Sequence, residues 1–354
     1  MYKKVYPLVS VVVPIFNAED FVIRTIRSIL TTDYPNFEVV VVDDCSTDDS
    51  WVKLNNSFSK NPKARLFQNK KKLLAAGSRN KGAKLSKGKY IALLDHDVEV
   101  DKAWLKEAVG VFERHPDAGA VQSIVLDIKR RKIIQHAGIK IQSYLGWVIS
   151  LGFGKDIEEY SPKEKEVFAD ATGIIFKKEV WKQIGGFDED LAINVDDWDF
   201  NWRIWLYGYK QYLVPKSLTY HWSKKQSTRD RWIKRFWWEF HFAKVPWLFI
   251  KNYEIKNLII HLPIYLSVNL FRGMVNLVRL NPSPLLAFCY ASGWTLVNLG
   301  KLLNKRRTTQ NRRRIADSYL LTKLMDNEFI HSYFLRHWLP VVGHGRKMST
   351  EDPY

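Results

Sequence analysis

Residues 37–44 read FEVVVVDD, a run of valines that stops on two acids. Five apolar residues, four of them consecutive valines, with only Glu38 among them and no polar alternation, are the composition of a strand buried on both faces, the kind found inside parallel sheets. Two more runs share the character: Val9–Ile15 (VSVVVPI) upstream, and Lys89–Leu94 (KYIALL) downstream, which ends at Asp95-His96-Asp97. Helical signals lie between them. Val22, Ile23, Ile26, Ile29 and Leu30 repeat with helical spacing, Ala75–Leu85 reads as a second helix, and Lys102–His115 as a third, capped by Asp101 and stopped by Pro116. Ser46 with Asp49 resembles a capping box ahead of another helix, and Leu66–Gln68 reads as a short strand. The strand–helix alternation predicts an α/β fold, a mostly parallel sheet covered by helices, with its ligand beyond the carboxyl ends of the strands. Those ends are acidic twice, at Asp43-Asp44 and at Asp95 and Asp97, so a neutralising cation and a polar ligand are expected there.

Composition bounds the rest. The 354 residues are 46% hydrophobic and 26% charged, which is globular and leaves room for one large or two ordinary domains. Two cysteines, Cys45 and Cys289, exclude a disulfide scaffold, and no Cys/His spacing suits zinc. The N-terminal apolar run ends at Val13 before Pro14, too short for a secretory signal. The net charge of +18 is uneven: residues 1–222 are nearly neutral, whereas residues 223–347 hold 22 Lys and Arg against six acids. The division predicts two parts with different jobs, a nearly neutral domain at 1–222 and a basic, aromatic, helical region at 223–354.

Further along the first domain, Gly173–Lys177 reads as a strand, Lys178–Ile184 as a short helix, and Phe200–Tyr207 as an amphipathic stretch opened by the acids of Asn194–Asp199. Tyr212–Pro215 and Leu218–His221 read as two short strands.

Several motifs in order resemble family 2 glycosyltransferases over residues 8–222: Pro14-Ile15-Phe16-Asn17, Val42-Asp43-Asp44, Ser78-Arg79-Asn80 with Gly82, Leu94-Asp95-His96-Asp97, Thr172-Gly173, Gly185-Gly186-Phe187-Asp188-Glu189, and Asp196-Asp197-Trp198-Asp199 with Arg203. The resemblance implies a GT-A fold with a nucleotide-sugar across the strand ends. It implies that Asp44 contacts the nucleobase with Pro14 and Phe16 beside base and ribose, that Arg79 lies near the nucleotide, and that Asp95 faces the ribose. Asp97 would bind Mn²⁺ or Mg²⁺, with His221 as a second metal or diphosphate contact. Asp197 would be the catalytic base, with Asp196 and Trp198 on the acceptor side. The chemistry suits these residue types. A divalent cation stabilises a departing diphosphate, and a positioned carboxylate takes the proton of an attacking hydroxyl, which inverts the anomeric centre without a covalent intermediate. Each also has a plainer use: Asp43 or Asp44 as a helix cap, Arg79 as a solvated surface charge, the acids at 196–199 as capping groups, His221 as a packed histidine.

The QxxRW signature of processive synthases is absent, so single addition is expected. In the second region, residues 230–250 (DRWIKRFWWEFHFAKVPWLFI) read as a largely apolar helix. Leu258–Phe271 and Asn281–Gly300 are uncharged, and Lys301–Arg314 (KLLNKRRTTQNRRR) carries seven cations and no acid. Apolar helices beside cations suit an anionic membrane surface, with the helices in the plane or re-entrant; an ordinary helical subdomain is the competing expectation. The expected partners are therefore a nucleotide-sugar donor, a glycan or lipid-linked acceptor, and the inner face of the cell membrane. A polyprenyl-phosphate sugar synthase is the neighbouring alternative. A nucleic-acid-binding protein, suggested by the Arg-rich segment, is disfavoured by the acidic strand ends and the absence of any nucleic-acid motif.

Overall fold

The structure is a computed structural model that describes residues 5–222, 236, 240 and 243–327. Strand β1 (Val9–Ile15) pairs in parallel with β2 (Phe37–Asp43) on one side and β4 (Tyr90–Leu93) on the other, and β2 pairs with β3 (Ala64–Gln68). The valine runs lie in the middle of this sheet, and β1 and β2 bury nearly every side chain on both faces. Beyond β4 the order continues through β11 (Ile174–Lys177), β6 (Ala118–Asp127) and β12 (Lys210–His221); β11 runs antiparallel to both neighbours. Short strands β5 (Val98–Val100), β7 (Ile134–His136) and β10 (Lys165–Glu166) decorate the far edge, and β8 (Ile139–Ile141) with β9 (Val148–Ser150) forms a separate ribbon.

Helices α1 (Val22–Leu30), α2 (Ser50–Phe58), α3 (Leu74–Leu85) and α4 (Trp104–Arg114) cover the parallel half. Helix α3 approaches β1 closely: a Cβ built on Gly82 would lie 2.2 Å from Val12 Cγ1. The expected capping box does not form. Helix α2 starts at Ser50, whose N–H donates to Asp48 Oδ1 at 3.0 Å, while Ser46 Oγ accepts from Asn17 N at 3.0 Å. The two short strands expected between Tyr212 and His221 are one strand, β12, with a register shift between Val214 and Leu218.

After α5 (Ile157–Tyr160) and α6 (Lys178–Ile184) comes α7 (Asp196–Leu206). It is not amphipathic as expected, because every residue in it is buried. The cover comes from helices later in the chain. Helix α8 (Val245–Asn252) packs on α7 and α11 (Leu299–Asn311) packs on α8, and the core cluster that contains Phe200, Trp202 and Trp205 continues through Trp247, Phe249, Tyr253 and Leu302 to Leu320 in α12 (Asp317–Lys323). Most of the first half of the Trp-rich stretch at 230–250, including Trp232, Trp237 and Trp238, lies outside the described residues; Trp247 is fully buried.

Between α8 and α11 stands a pair of long helices, α9 (Ile255–Val278) and α10 (Ser283–Val297). Helix α9 is long and apolar enough to cross a membrane, with mean hydropathy 1.5 over its best window and Pro263 inside it. Its buried stripe is His261, Tyr265, Asn269 and Gly273, whereas Ile259, Ile260, Leu270, Phe271, Met274 and Leu277 are exposed. Helix α10 likewise buries Ala287, Ala291 and Thr295 and exposes Leu286, Tyr290 and Leu296. Small and polar residues thus face inward and large apolar ones outward, the reverse of a water-soluble amphipathic helix.

The cations of 301–314 are largely engaged within the fold. Lys301 and Lys305 pair with Asp190, Lys305 also with Asp188, Arg306 donates to the carbonyls of Ile250 and Tyr253, and Arg312 donates to the Gln183 carbonyl. Arg313 binds the Asn252 carbonyl and Asp317.

Candidate active site

The parallel register puts Ile15 beside Asp43, so β1, β2 and β4 end together on one rim. Just past the end of β4, Asp95 accepts a hydrogen bond from Thr172 Oγ1 and lies 3.6 Å from Arg79 Nη2. Arg79 is buried, and its Nη1 donates to Asp196 Oδ2 at 2.7 Å. It is therefore no solvated surface charge; it is a cation held between the strand rim and the first turn of α7. Burial works against its charge, but Asp196, Asp95 and Asp197 together hold it more basic than usual. The next residue serves the other face of α3: Asn80 accepts from Phe187 N and Trp181 Nε1 and donates to Phe187 O, which fastens the Gly185–Glu189 turn.

Asp97 Oδ1 lies 3.4 Å from His221 Nε2, brought there by the pairing of β5 with the end of β12. The ring is fixed from behind, its Nδ1 2.7 Å from Gln135 Oε1. With Nδ1–H donating to that amide oxygen, Nε2 is turned towards Asp97. Burial pushes the Asp97 carboxyl up, but the contact and charge of His221 and the charge of His96 more than offset it, leaving it below the usual range. His221 is raised: burial opposes its charge, and Asp97, Asp95 and Asp170 outweigh that. Among the described residues no group of three or more acids, histidines or cysteines surrounds one ion position. The Asp97–His221 pair still fits a hard divalent cation. Mg²⁺ and Mn²⁺ take one or two protein ligands and complete their shell with water and phosphate, and adjacent donors in such a shell stand about 3 Å apart.

Helix α7 supplies three acids that face three ways. Asp199 is fully buried and pairs with Arg203 at 2.7 Å and Lys251 at 2.9 Å, so it is a structural anchor. Asp196 is also fully buried, behind Arg79; the acceptor-side position expected for it is corrected, since it presents no surface to a ligand. Trp198, expected beside it, is 7% exposed and packs in the main core cluster. Asp197 lies between, its Oδ2 accepting from Ala171 N at 3.3 Å. Burial, the neighbouring charges of Asp170 and Asp196 and a hydrogen bond to Asp170 hold its carboxyl well above the usual range, against the pull of Arg79. Asp170 and His136, whose Nε2 is 3.7 Å from Asp170 Oδ2, were not singled out in the sequence. Asp170 stands two residues before Thr172-Gly173 with no acid beside it, and only the pairing of β11 beside β4 and β6 brings it to α7.

Past the end of β2, Asp44 accepts from Leu73 N, Leu74 N and Asn69 Nδ2 at 2.7–2.8 Å, capping α3 rather than the helix that directly follows it. Asp43 accepts from Ser46 N and Gln68 Nε2. Pro14 is half-buried in β1, and Phe16 is exposed at its end with Lys72 Nζ 3.6 Å above its ring. The structure therefore brings Asp95, Asp97, His221, Arg79 and Asp197 into one neighbourhood and leaves Phe16 and Asp44 along the same rim.

Comparisons with known proteins bear on the family and the fold. Residues 10–185 match the model of glycosyl transferase family 2. A putative colanic acid biosynthesis glycosyl transferase, WcaA of Escherichia coli K12, is 29% identical over 166 residues, 46% of this chain and 52% of that one. The Escherichia coli UDP-Glc:alpha-D-GlcNAc-diphosphoundecaprenol beta-1,3-glucosyltransferase WfaP is 39% identical over 90 residues, 25% of this chain and 35% of that one. The chain thus spans about half or less of the length of these relatives. Among solved structures, S. aureus TarS 1–349 with UDP-GlcNAc superposes with TM-score 0.55 at 17% identity, covering 88% of this chain and 91% of that one. The mannosyltransferase PcManGT of Pyrobaculum calidifontis, with GDP-Man and Mn²⁺, gives 0.52 at 18%, covering 90% and 88%. The sheet, its acidic rim and the matched residues lead to one conclusion: the fold is of the GT-A type, and the chain belongs to glycosyl transferase family 2.

Proposed function

We propose that this protein is an inverting glycosyltransferase that moves one sugar from a nucleoside diphosphate donor to the hydroxyl of a glycan or lipid-linked acceptor at the cytoplasmic membrane face. One observation carries the proposal: Arg79 joins Asp95 on the strand rim to Asp196 on α7, and so fixes the distance between a donor-binding edge and Asp197. Asp97 and His221 are the residues that would hold Mn²⁺ or Mg²⁺, which supplies electrostatic stabilisation to the departing diphosphate. Asp95, steadied by Thr172 and Arg79, faces the donor ribose, and Phe16, Pro14 and Asp44 flank the nucleoside. Asp197 accepts the proton of the attacking hydroxyl; its burial keeps the carboxylate poorly solvated and therefore basic enough to do so. The relatives' names support a cell-envelope acceptor, and UDP- and GDP-sugars in the solved neighbours suggest the donors to try.

The membrane part rests on α9 and α10. Without water to drive them together, membrane helices associate through small and polar residues and turn large apolar side chains to lipid, the arrangement these two helices have. The test of the activity is calorimetric titration of the full chain with UDP-GlcNAc and GDP-Man, with Mn²⁺ and with EDTA. Binding of one donor that needs the metal and is lost in Asp97→Ala is expected; equal affinity in EDTA would overturn the metal role, and no binding of any nucleotide-sugar would overturn the activity.

A further inference from the structure

Segment 170–172 is placed where it touches both halves of the site. Thr172 Oγ1 donates to Asp95, at the donor rim, while the Ala171 N–H is shared by two carboxylates: Asp170 Oδ1 at 2.6 Å and Asp197 Oδ2 at 3.3 Å. One peptide donor claimed by two carboxylates brings them side by side. Asp170 is itself held in place from the sheet, its N–H donating to Gln122 Oε1 at 2.8 Å, and Gln122 is anchored in turn through Nε2 to the Thr172 and Ser123 carbonyls. Two carboxylates this close cannot both carry full charge without a cation between them, and the nearest cation, Arg79, is committed to Asp196 and Asp95.

We propose that the proton acceptor of this enzyme is a carboxylate pair, in which Asp170 positions Asp197 and shares one proton with it. The inference rests on the glycosyl-transfer reading above and adds a residue to it. In the resting site the pair holds one proton and one negative charge. When the acceptor oxygen bonds to the anomeric carbon, the O–H proton passes to the pair, which becomes doubly protonated. The bond from that carbon to the diphosphate oxygen breaks, and its electrons leave with the diphosphate. Asp170, 28% exposed at its side chain, is the more open partner and the route by which the second proton returns to water. The titratable and charged neighbours are Asp196 and Arg79 on the Asp197 side, and His136, Arg79 and, further off, His221 on the Asp170 side. His136 is buried with its Nδ1 unpartnered, and burial holds it below its usual range, so it is a neutral neighbour that leaves the charge of the pair uncompensated.

The test needs no donor, which separates it from the test of the activity. The full chain, labelled with ¹³C at aspartate carboxyls, is titrated by NMR, and the Asp197 signal is assigned by its loss in Asp197→Asn. Asp197 is expected to titrate above the ordinary carboxylate range in the wild type, and about one pH unit or more lower in Asp170→Asn, which removes the second charge. Asp170→Glu, which keeps that charge, is expected to restore the high titration, a result that a purely structural role for Asp170 would not give. Asp170→Ala carries the same readout should the Asn variant not fold. An Asp197 that titrates in the ordinary range, or whose titration is indifferent to Asp170→Asn, overturns the pair. Donors that fail to bind would overturn the activity and leave this titration as a finding about the site.

Discussion

Lys251→Met should be among the most damaging single changes outside the site. Lys251 lies on α8 with only 4% of its surface exposed, and its ammonium is 2.6 Å from Asp188 and 2.9 Å from Asp199. Methionine keeps the length and apolar stem but leaves two buried carboxylates short of a cation. Removing one partner of a buried pair costs about 3–5 kcal/mol. With an unfolding entropy near 2.1 cal/mol/K per residue and about 300 residues unfolding together, that is a Tm lower by roughly 5–8 °C. Lys53→Met is the control, because its pair with Glu19 is about two-fifths exposed on each side, and such pairs contribute ~1 kcal/mol or less. Differential scanning fluorimetry at neutral pH reads both. The sign of the pH dependence is fixed as well. Burial pushes Asp188 and Asp199 up, but the charges of Lys251 with Lys305, and of Arg203 with Lys251, hold them below the usual range. Their contribution is therefore complete above about pH 4 and lost as pH falls further, so the wild type and Lys251→Met should converge in acid. A Tm loss under about 2 °C at neutral pH, or a gap that does not narrow in acid, would refute the buried lock.

Asp197→Asn should lower turnover by roughly a hundredfold with donor affinity nearly unchanged, by kinetics and calorimetry. The same variant should be more stable than the wild type at neutral pH and indistinguishable from it below about pH 4, because a carboxyl whose folded pKa is raised destabilises the fold only where it is ionised in the unfolded chain. Gly82→Ala should cost about 1–3 kcal/mol in denaturant unfolding, since its methyl group would press into Val12. Vesicle flotation should show binding that persists at high salt, through the exposed faces of α9 and α10; binding abolished by salt would mean that those faces do not enter lipid.

The parallel core is legible because its signal is local. Uninterrupted valine runs such as FEVVVV have few other uses, and the acids directly after them mark the strand ends whatever the rest of the chain does. Helix α7 misleads for the complementary reason. Its pattern of acids and tryptophans contains both polar and apolar positions, and only Arg79 from α3 and the later packing of α8 decide that the acids are buried and paired. Asp170 is invisible in the same way. A lone acid in a loop carries no period and no spacing, and its partner on α7 is 27 residues further on, across a strand crossing.

The basic segment shows how charge arithmetic and charge function part company. Seven cations without an acid in Lys301–Arg314 suggest an electrostatic membrane contact, yet most of them are satisfied within the fold, largely by acids and carbonyls far away in sequence, at Gln183, Asp188, Asp190 and residues 250–253. A one-dimensional count cannot see such partners. The consequence is testable residue by residue. Arg306 and Arg313 hold the carbonyls at the end of α8, so Arg306→Gln with Arg313→Gln removes several charge-assisted hydrogen bonds, each contributing about 1.5–3 kcal/mol. That pair should lower Tm by several degrees. Arg307, one position along and exposed, should leave Tm unchanged when replaced by Gln. Neutralising Arg307 should instead weaken the salt-sensitive share of binding to anionic vesicles, by about 1 kcal/mol for one cation near the surface. If the double variant leaves Tm as unchanged as Arg307→Gln does, the segment is a surface patch after all, and the clamp on α8 is not what holds these helices to the sheet.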